Sequence, residues 1–317
     1  MQGQLPQFLA ESRATGTVKR YTAAFRRWKD FANLHKLQLW PTKPSDFCLY
    51  ILHIAKTARG ISALDATYYG VKWVHDCVDL KSPTDFSSVK NAFESAKRKL
   101  SRARKPVDPV PVEVLNKVGA EYCNSDDLAV IRSVSMAILA FAGFFRADEV
   151  RKIKAGDILM HDGFMTVVLR QSKTDQFRQG DHVDIVKTDS VSCPMFWLSK
   201  YLRKAGIDLS NESQSDMYIF RQISASKSGK KLVSTNRPLS DSAVRESVLP
   251  LIRRHMQAKA RIGLHSFRSG GASAAAKAGA ESRLLQRLGR WKVQASKDRY
   301  IQESLEHRLQ VSSLLGL

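Results

Sequence analysis

Residues 264–300, LHSFRSGGASAAAKAGAESRLLQRLGRWKVQASKDRY, hold four side chains whose types suit one kind of reaction. His265 and Arg268 stand three apart, so a helix or its first turn brings them to one face. Trp291 follows Arg268 by twenty-three residues, and Tyr300 follows Trp291 by nine. A histidine, a guanidinium and an indole N–H can all donate hydrogen bonds to one anionic group. A tyrosine adds a phenolic oxygen able to attack phosphorus. Each is weak evidence alone, since His-x-x-Arg pairs are common by chance. Two cations upstream join them. Arg146 ends a long apolar stretch, in GFFRADEV, where a charge must be paired. Glu149, three residues on, is the candidate partner, and a plain structural Arg–Glu pair is the competing reading. Lys173 stands where a strand gives way to a polar turn, a place where lysines are usually just solvated.

The elements that must position these residues fall into two groups. Residues 15–35 carry Val18, Tyr21, Phe25, Trp28 and Phe31 at helical spacing, with Lys19, Arg20, Arg26, Arg27 and Lys29 on the other face. A second helix starts at Ser45 or Asp46 and turns Phe47, Tyr50, Ile51 and Ile54 inward. A third spans 62–79 with a stripe of Tyr68 or Tyr69, Val71, Val74 and Val78. Pro83 opens a fourth, with Phe86, Val89, Phe93, Ala96 and Leu100 inward. This helix runs into KRKLSRARK, residues 97–105, where six of nine residues are cationic and none acidic. Lys97, Arg98, Lys99, Arg102, Arg104 and Lys105 are therefore candidate DNA contacts, against the readings of a solvated linker or a nuclear-import signal. PVDPVP, residues 106–111, is an extended linker, because three prolines in six residues cannot continue a helix. The division is thus 1–105, all helical; 106–111, linker; and 112–317, a second domain.

The second domain opens with VEVLNKV and a long apolar helix over 126–144, with Asp126 and Asp127 at its dipole-favoured start. Phe164–Arg170 and His182–Lys187 read as strands joined by a long polar turn. Helical patterns return over 194–206, 240–258 and 266–288, while 221–239 reads as a polar surface loop. Residues 301–317 form a last amphipathic segment, in which Leu305, Leu309 and Leu315 suit packing on the same body or on a second copy. The fold class expected is mainly α with a small β-sheet.

Composition narrows the partner. The 317 residues include 51 Lys plus Arg and 30 Asp plus Glu, a net charge of +21, and the pI is about 10.0. That imbalance points to a polyanion, nucleic acid first. No apolar run reaches the roughly 18 residues of a membrane span, and the N-terminus lacks the basic start and apolar core of a secretion signal. Cys48, Cys77, Cys123 and Cys193 show no metal-finger spacing and read as reduced thiols of an intracellular protein. The expected location is nuclear in a eukaryote, and cytoplasmic or nucleoid otherwise. Nor is there a convincing three-carboxylate metal set, so no cofactor is expected.

Arg146, Lys173, His265, Arg268, Trp291 and Tyr300 stand in an order that resembles the tyrosine recombinases, the lambda-integrase and Cre-like family. GFFRADEV is similar to the family's first-arginine box, SKT to its lysine turn, and LHSFRSGGAS to its His-x-x-Arg box. LGRW followed by KDRY is similar to its closing segment, with tryptophan where prokaryotic members usually carry histidine, as in Cre or the Crypton and DIRS-type mobile-element recombinases. The resemblance implies an all-helical core-binding domain, a mixed α+β catalytic domain and a C-shaped clamp around duplex DNA. It implies Tyr300 as nucleophile, Arg146 and Arg268 as phosphate clamps, His265 as proton acceptor or relay, Trp291 as indole donor or wall, and Lys173 as proton donor to the leaving 5′-oxygen. It also implies a 3′-phosphotyrosyl link, exchange through a Holliday junction by four protomers, and a monomer or dimer away from DNA. A phenol loses its proton near pH ~10 in water, so cationic neighbours must favour the phenolate. The rival readings are a type IB topoisomerase or telomere resolvase, a domesticated non-catalytic DNA-binding protein, and a basic RNA-binding protein.

Overall fold

A computed structural model describes residues 8, 12–102, 107–170, 180–226, 229–301, 309 and 312–315. The chain divides into two compact units, Met1–Lys105 and Pro106–Leu317. Among the described residues no helix is long and apolar enough to cross a membrane. All four cysteines are free thiols.

Unit 1 is built from α1 (Thr15–Leu34), α2 (Pro44–Thr57), α3 (Ile61–Asp76) and α4 (Ser87–Leu100). Trp28 is its centre. It is fully buried against Phe47 and Tyr50, and its indole N–H donates to Thr42 Oγ1 at 3.2 Å. Its polar handle is thus satisfied, as a buried indole requires. Tyr21 is only half-buried and packs on Trp73. Two expectations shift. Pro83 opens a 3₁₀ turn, Pro83–Asp85, capped by Ser82 and Asp85, and the helix proper begins at Ser87 after an extended Phe86. The capping pair satisfies the turn's own N–H groups, so the chain restarts rather than continues. The buried face of α3 is Leu64, Thr67, Val71 and His75, not the stripe through Val78, which lies beyond the helix end and is 51 % exposed.

His75 brings a titratable ring into that core. It is fully buried; Nδ1 lies 2.8 Å from the Val71 carbonyl, and the Thr42 N–H donates to Nε2 at 3.3 Å. Those partners require the neutral ring, with Nδ1 donating and Nε2 accepting. Burial pulls its pKa below the ordinary histidine range, with the Val71 carbonyl a smaller opposing influence. The unfolded state therefore takes up a proton first, and the stability this ring contributes is complete above about pH 6.5 and lost as pH falls below it. The protection of amides over 61–76 in the whole chain, from hydrogen exchange corrected for the pH dependence of intrinsic exchange, is expected to fall as pH drops below about 6.5, with a limiting slope of ~1.4 kcal/mol per pH unit. His75→Gln should flatten that dependence; an unchanged profile would assign the acid response to other groups.

Unit 2 is organised on α6 (Leu128–Ala142), whose residues from Ile131 to Ala140 are all buried. Asp127 caps its start, accepting from the Ala129 N–H at 2.8 Å. Around it lie α5 (Val112–Tyr122), the short α7 (Ala147–Arg151), α8 (Pro194–Ala205), α9 (Asp241–Arg253), α10 (His265–Lys277), α11 (Ser282–Leu288) and α12 (Gln294–Asp298). An antiparallel sheet orders β1 (Ile158–Met160), β2 (Phe164–Leu169) and β3 (Asp181–Val186) consecutively, pairing Ile158 with Val167 and Val167 with Val183. Met165, Val167, Leu169, Val183 and Ile185 point into the core, the period-2 pattern of a half-buried sheet. The polar stretch 221–239 is not all loop. It contains a hairpin of β4 (Ile223–Ser226) and β5 (Gly229–Leu232), held by backbone pairing from Ile223–Leu232 to Ser226–Gly229. The expected 266–288 helix is two, broken at Gly279, where φ is +85°. Leu309 and Leu315 are exposed, and Leu305 lies outside the described residues.

Candidate active site

Arg146 is placed by a break in the chain. α6 ends at Gly143, Phe144 takes φ +47°, and Phe145 followed by an extended Arg146 leads into α7. Phe145 is fully buried and anchors the turn. Glu149, at the third position of α7, reaches back to accept the Arg146 N–H at 2.8 Å, and its other oxygen takes Arg146 Nη1 at 2.5 Å. One carboxylate thus caps the helix and aims the guanidinium.

Arg268 comes from the opposite side, on α10. Two glycines follow it, and both are there for contact rather than turning. A Cβ on Gly270 would stand 2.2 Å from the Val110 carbonyl oxygen, and one on Gly271 would stand 2.2 Å from that of Phe141. Only a missing side chain lets α10 lie directly on the main chain at these points. Arg268 is fully buried as a result. Its Nη1 donates to the Phe144 carbonyl and its Nη2 to the Gly289 carbonyl, while Nε has no partner among the described residues. His265, one turn earlier, sits at the exposed start of α10. The two therefore share a helix but differ in depth.

Trp291 and Tyr300 close over the guanidinium. The Arg268 carbon Cζ lies 4.8 Å from the Trp291 ring centre and 5.1 Å from that of Tyr300, and the two rings are 5.4 Å apart. Trp291 packs with Phe144, Ala272 and Leu285, and its buried indole N–H has no partner among the described residues.

Sequence reasoning missed Arg290. In a Gly-Arg-Trp break it reads as a solvated cation, yet its side chain is nearly sealed, and Nη2 lies 3.0 Å from Glu149 Oε2. Glu149 Oε2 is also 3.9 Å from Arg268 Nη1. Three guanidiniums therefore gather on one buried carboxylate. Burial alone would raise the Glu149 pKa; Arg290, then the Arg146 N–H and guanidinium, more than offset this and hold it below the usual range. Burial, then the like charges of Arg146 and Arg290, pull Arg268 down to about 9, still a cation at neutral pH. Among the described residues, one carboxylate is shared by three guanidiniums, so positive charge dominates here.

Lys173 lies outside the described residues; the flanking ends of β2 and β3 are paired at Leu169 and Asp181. In unit 1, Lys97 is half-buried over the Phe93 ring, with Glu94 at 3.4 Å, while Arg98, Lys99 and Arg102 are exposed. Arg104 and Lys105 lie outside the described residues. Among the described residues no group of three or more His, Cys, Asp or Glu side chains could hold a metal ion.

Comparison with known proteins bears on this geometry. The model of the phage integrase family matches residues 114–307. An integrase/recombinase xerD homologue of Selenomonas ruminantium is 24% identical over 304 residues, covering 93% of this chain and 84% of the relative. The XerH site-specific recombinase bound to its palindromic difH substrate shares the fold at a TM-score of 0.62 and 12% identity, over 95% of this chain and 80% of XerH. The Tn1549 transposon integrase in complex with transposon right-end DNA does so at 0.59 and 12% identity, over 98% of each chain. A lambda integrase dimer bound to a core site does so at 0.56 and 14% identity, over 95% and 77%. The matched family region takes in Arg146, Glu149, His265, Arg268, Trp291 and Tyr300 alike, and the chain belongs to the phage integrase family, the tyrosine recombinases, as a DNA-binding enzyme of site-specific recombination that breaks and rejoins DNA strands.

Proposed function

We propose that the chain cleaves DNA by transesterification, with Tyr300 as nucleophile, and rejoins it to a second duplex through a Holliday junction. The observation that carries this reading is the stacking of the Tyr300 ring 5.1 Å from the Arg268 guanidinium, within a pocket whose three arginines share one carboxylate. The Tyr300 oxygen attacks phosphorus and gives up its proton to His265 or to water through it. The bond from phosphorus to the 5′-oxygen breaks, and Lys173 supplies the proton that leaves a 5′-hydroxyl. The 3′-phosphotyrosyl link keeps the energy of the phosphodiester, so an incoming 5′-hydroxyl reverses the step without ATP.

The arginines supply the charge that a divalent ion supplies elsewhere. Arg146, partly exposed, meets the phosphate first. Arg268 has both Nη groups on carbonyls beneath the tyrosine, so a phosphate reaches it as Tyr300 lifts away from its face. The unpartnered Trp291 N–H then finds its acceptor on a non-bridging oxygen. In unit 1, Lys97, Arg98, Lys99, Arg102, Arg104 and Lys105 contact phosphates along the duplex, and unit 2 from 112 to 317 acts as the catalytic domain. Four protomers assemble on paired sites.

Nicked duplexes, taken from a random pool by their binding to this chain, test the reading in EDTA. A covalent adduct on the peptide containing Tyr300 is expected by mass spectrometry. DNA that binds firmly yet gives no adduct would indicate a binding protein instead.

A further inference from the structure

Arg290 is built into the site more firmly than a stray cation needs to be. Its backbone takes φ +54°, a region a side chain enters only when its surroundings require it. Nη1 donates to the Gly143 carbonyl at 3.1 Å and to that of Leu288 at 2.7 Å. Nη2 donates to the Phe144 carbonyl at 3.1 Å and to Glu149 Oε2 at 3.0 Å. The guanidinium lies 5.1 Å from the Phe145 ring centre. Every one of these partners except Leu288 belongs to the turn that presents Arg146. The residue that follows Arg290 is Trp291. One side chain therefore joins the first-arginine turn to the segment that runs on to Tyr300.

Its charge matters as much as its reach. Arg146 and Arg268 face a scissile phosphate usefully only if Glu149 does not neutralise them. With Arg290 holding Oε2, Glu149 keeps one oxygen for Arg146 and stays 3.9 Å from Arg268. Without it, Oε2 is free to close on Arg268 and to join Oε1 on Arg146, drawing both guanidiniums off the phosphate. Among the described residues the guanidiniums of Arg146, Arg268 and Arg290 outnumber the one carboxylate that all three approach, which leaves positive charge for the phosphate.

We propose that Arg290 is a positioning residue for strand cleavage, sequestering the Glu149 carboxylate and tying the Gly143–Phe144 main chain to the Trp291 segment so that Arg146 and Arg268 keep their aim. This rests on Tyr300 as nucleophile. The test is the single-turnover rate of adduct formation on nicked DNA, selected by binding to the parent chain, at saturating DNA, with melting temperature and DNA affinity measured alongside. Arg290→Lys keeps the charge but cannot span three carbonyls and a carboxylate together. It should bind DNA within about threefold of the parent and cleave on the order of 10- to 100-fold more slowly. Arg290→Gln should lose more, and adding Glu149→Gln to it should recover part of the rate, because the misdirected carboxylate is gone and the net charge returns to the parent value. A structural staple would give the opposite order, the double variant being the slower. A parental rate for Arg290→Lys, or a double variant no faster than Arg290→Gln, overturns the assignment; if Arg290→Gln does not fold, the Lys variant decides. A parent chain that forms no Tyr300 adduct overturns the nucleophile reading itself, whereas an active parent with indifferent variants overturns only the role of Arg290.

Discussion

Tyr300→Phe is expected to bind DNA as the parent chain does and to form no covalent adduct. The substitution removes one oxygen and leaves the ring. The ring's packing on Trp291 and its stacking with Arg268 therefore survive, and stability should hardly change. Cleavage, by contrast, loses the proposed nucleophile, and the rate should fall on the order of 10⁴-fold or more. Gel separation of protein–DNA adducts reads the effect, with filter binding as the control. An adduct that persists on another residue would take the nucleophile's role from Tyr300.

Glu149→Ala is expected to be the most damaging single change to unit 2. It leaves Arg146, Arg268 and Arg290 without the carboxylate that all three approach. Removing one partner of a buried charge pair typically costs about 3–5 kcal/mol, because the remaining charge stays buried. In a domain of this size that is a melting-temperature drop on the order of 10 °C. Acid should mimic part of the loss. The folded Glu149 pKa lies below the ordinary value, so its contribution is present above about pH 4.3 and disappears as pH falls through the folded value. Calorimetry of the variant across pH 3.5–7 checks both. A loss under about 1 kcal/mol at neutral pH would mean that water or rearranged carbonyls compensate the arginines.

Much of this site could be read before any coordinates, and the limits have physical causes. Arg146 with Glu149 was legible because an arginine after an apolar helix must find a counter-charge within one turn. The helices of unit 1 were legible from their 3.6-residue stripes, except where a local cap outweighed periodicity, as at Ser82. The β4–β5 hairpin was not legible: Ser, Lys and Gly carry no strand preference, and backbone pairing alone holds it. The three-fold sharing of Glu149 was hidden for a different reason. Arg290 is 141 residues from Glu149 in sequence, and nothing local distinguishes a buried arginine from a solvated one. Even the His265–Arg268 pair, right in spacing, concealed a difference in depth that only the packing of α10 on Val110 and Phe141 creates.

The contact at Gly270 and Gly271 has a consequence for how this enzyme can change. Arg268 owes much of its depth to main chain resting on main chain, at Val110 and Phe141, with the rings of Phe144, Trp291 and Tyr300 packed around that contact. Core residues away from these contacts, and surfaces that face DNA, can therefore change with little effect on where Arg268 sits. The two glycines and the turn beneath them form a datum for the distances within the candidate site. Directed evolution towards a new recombination site should find variation spread over the surface of the chain and almost none at these two positions.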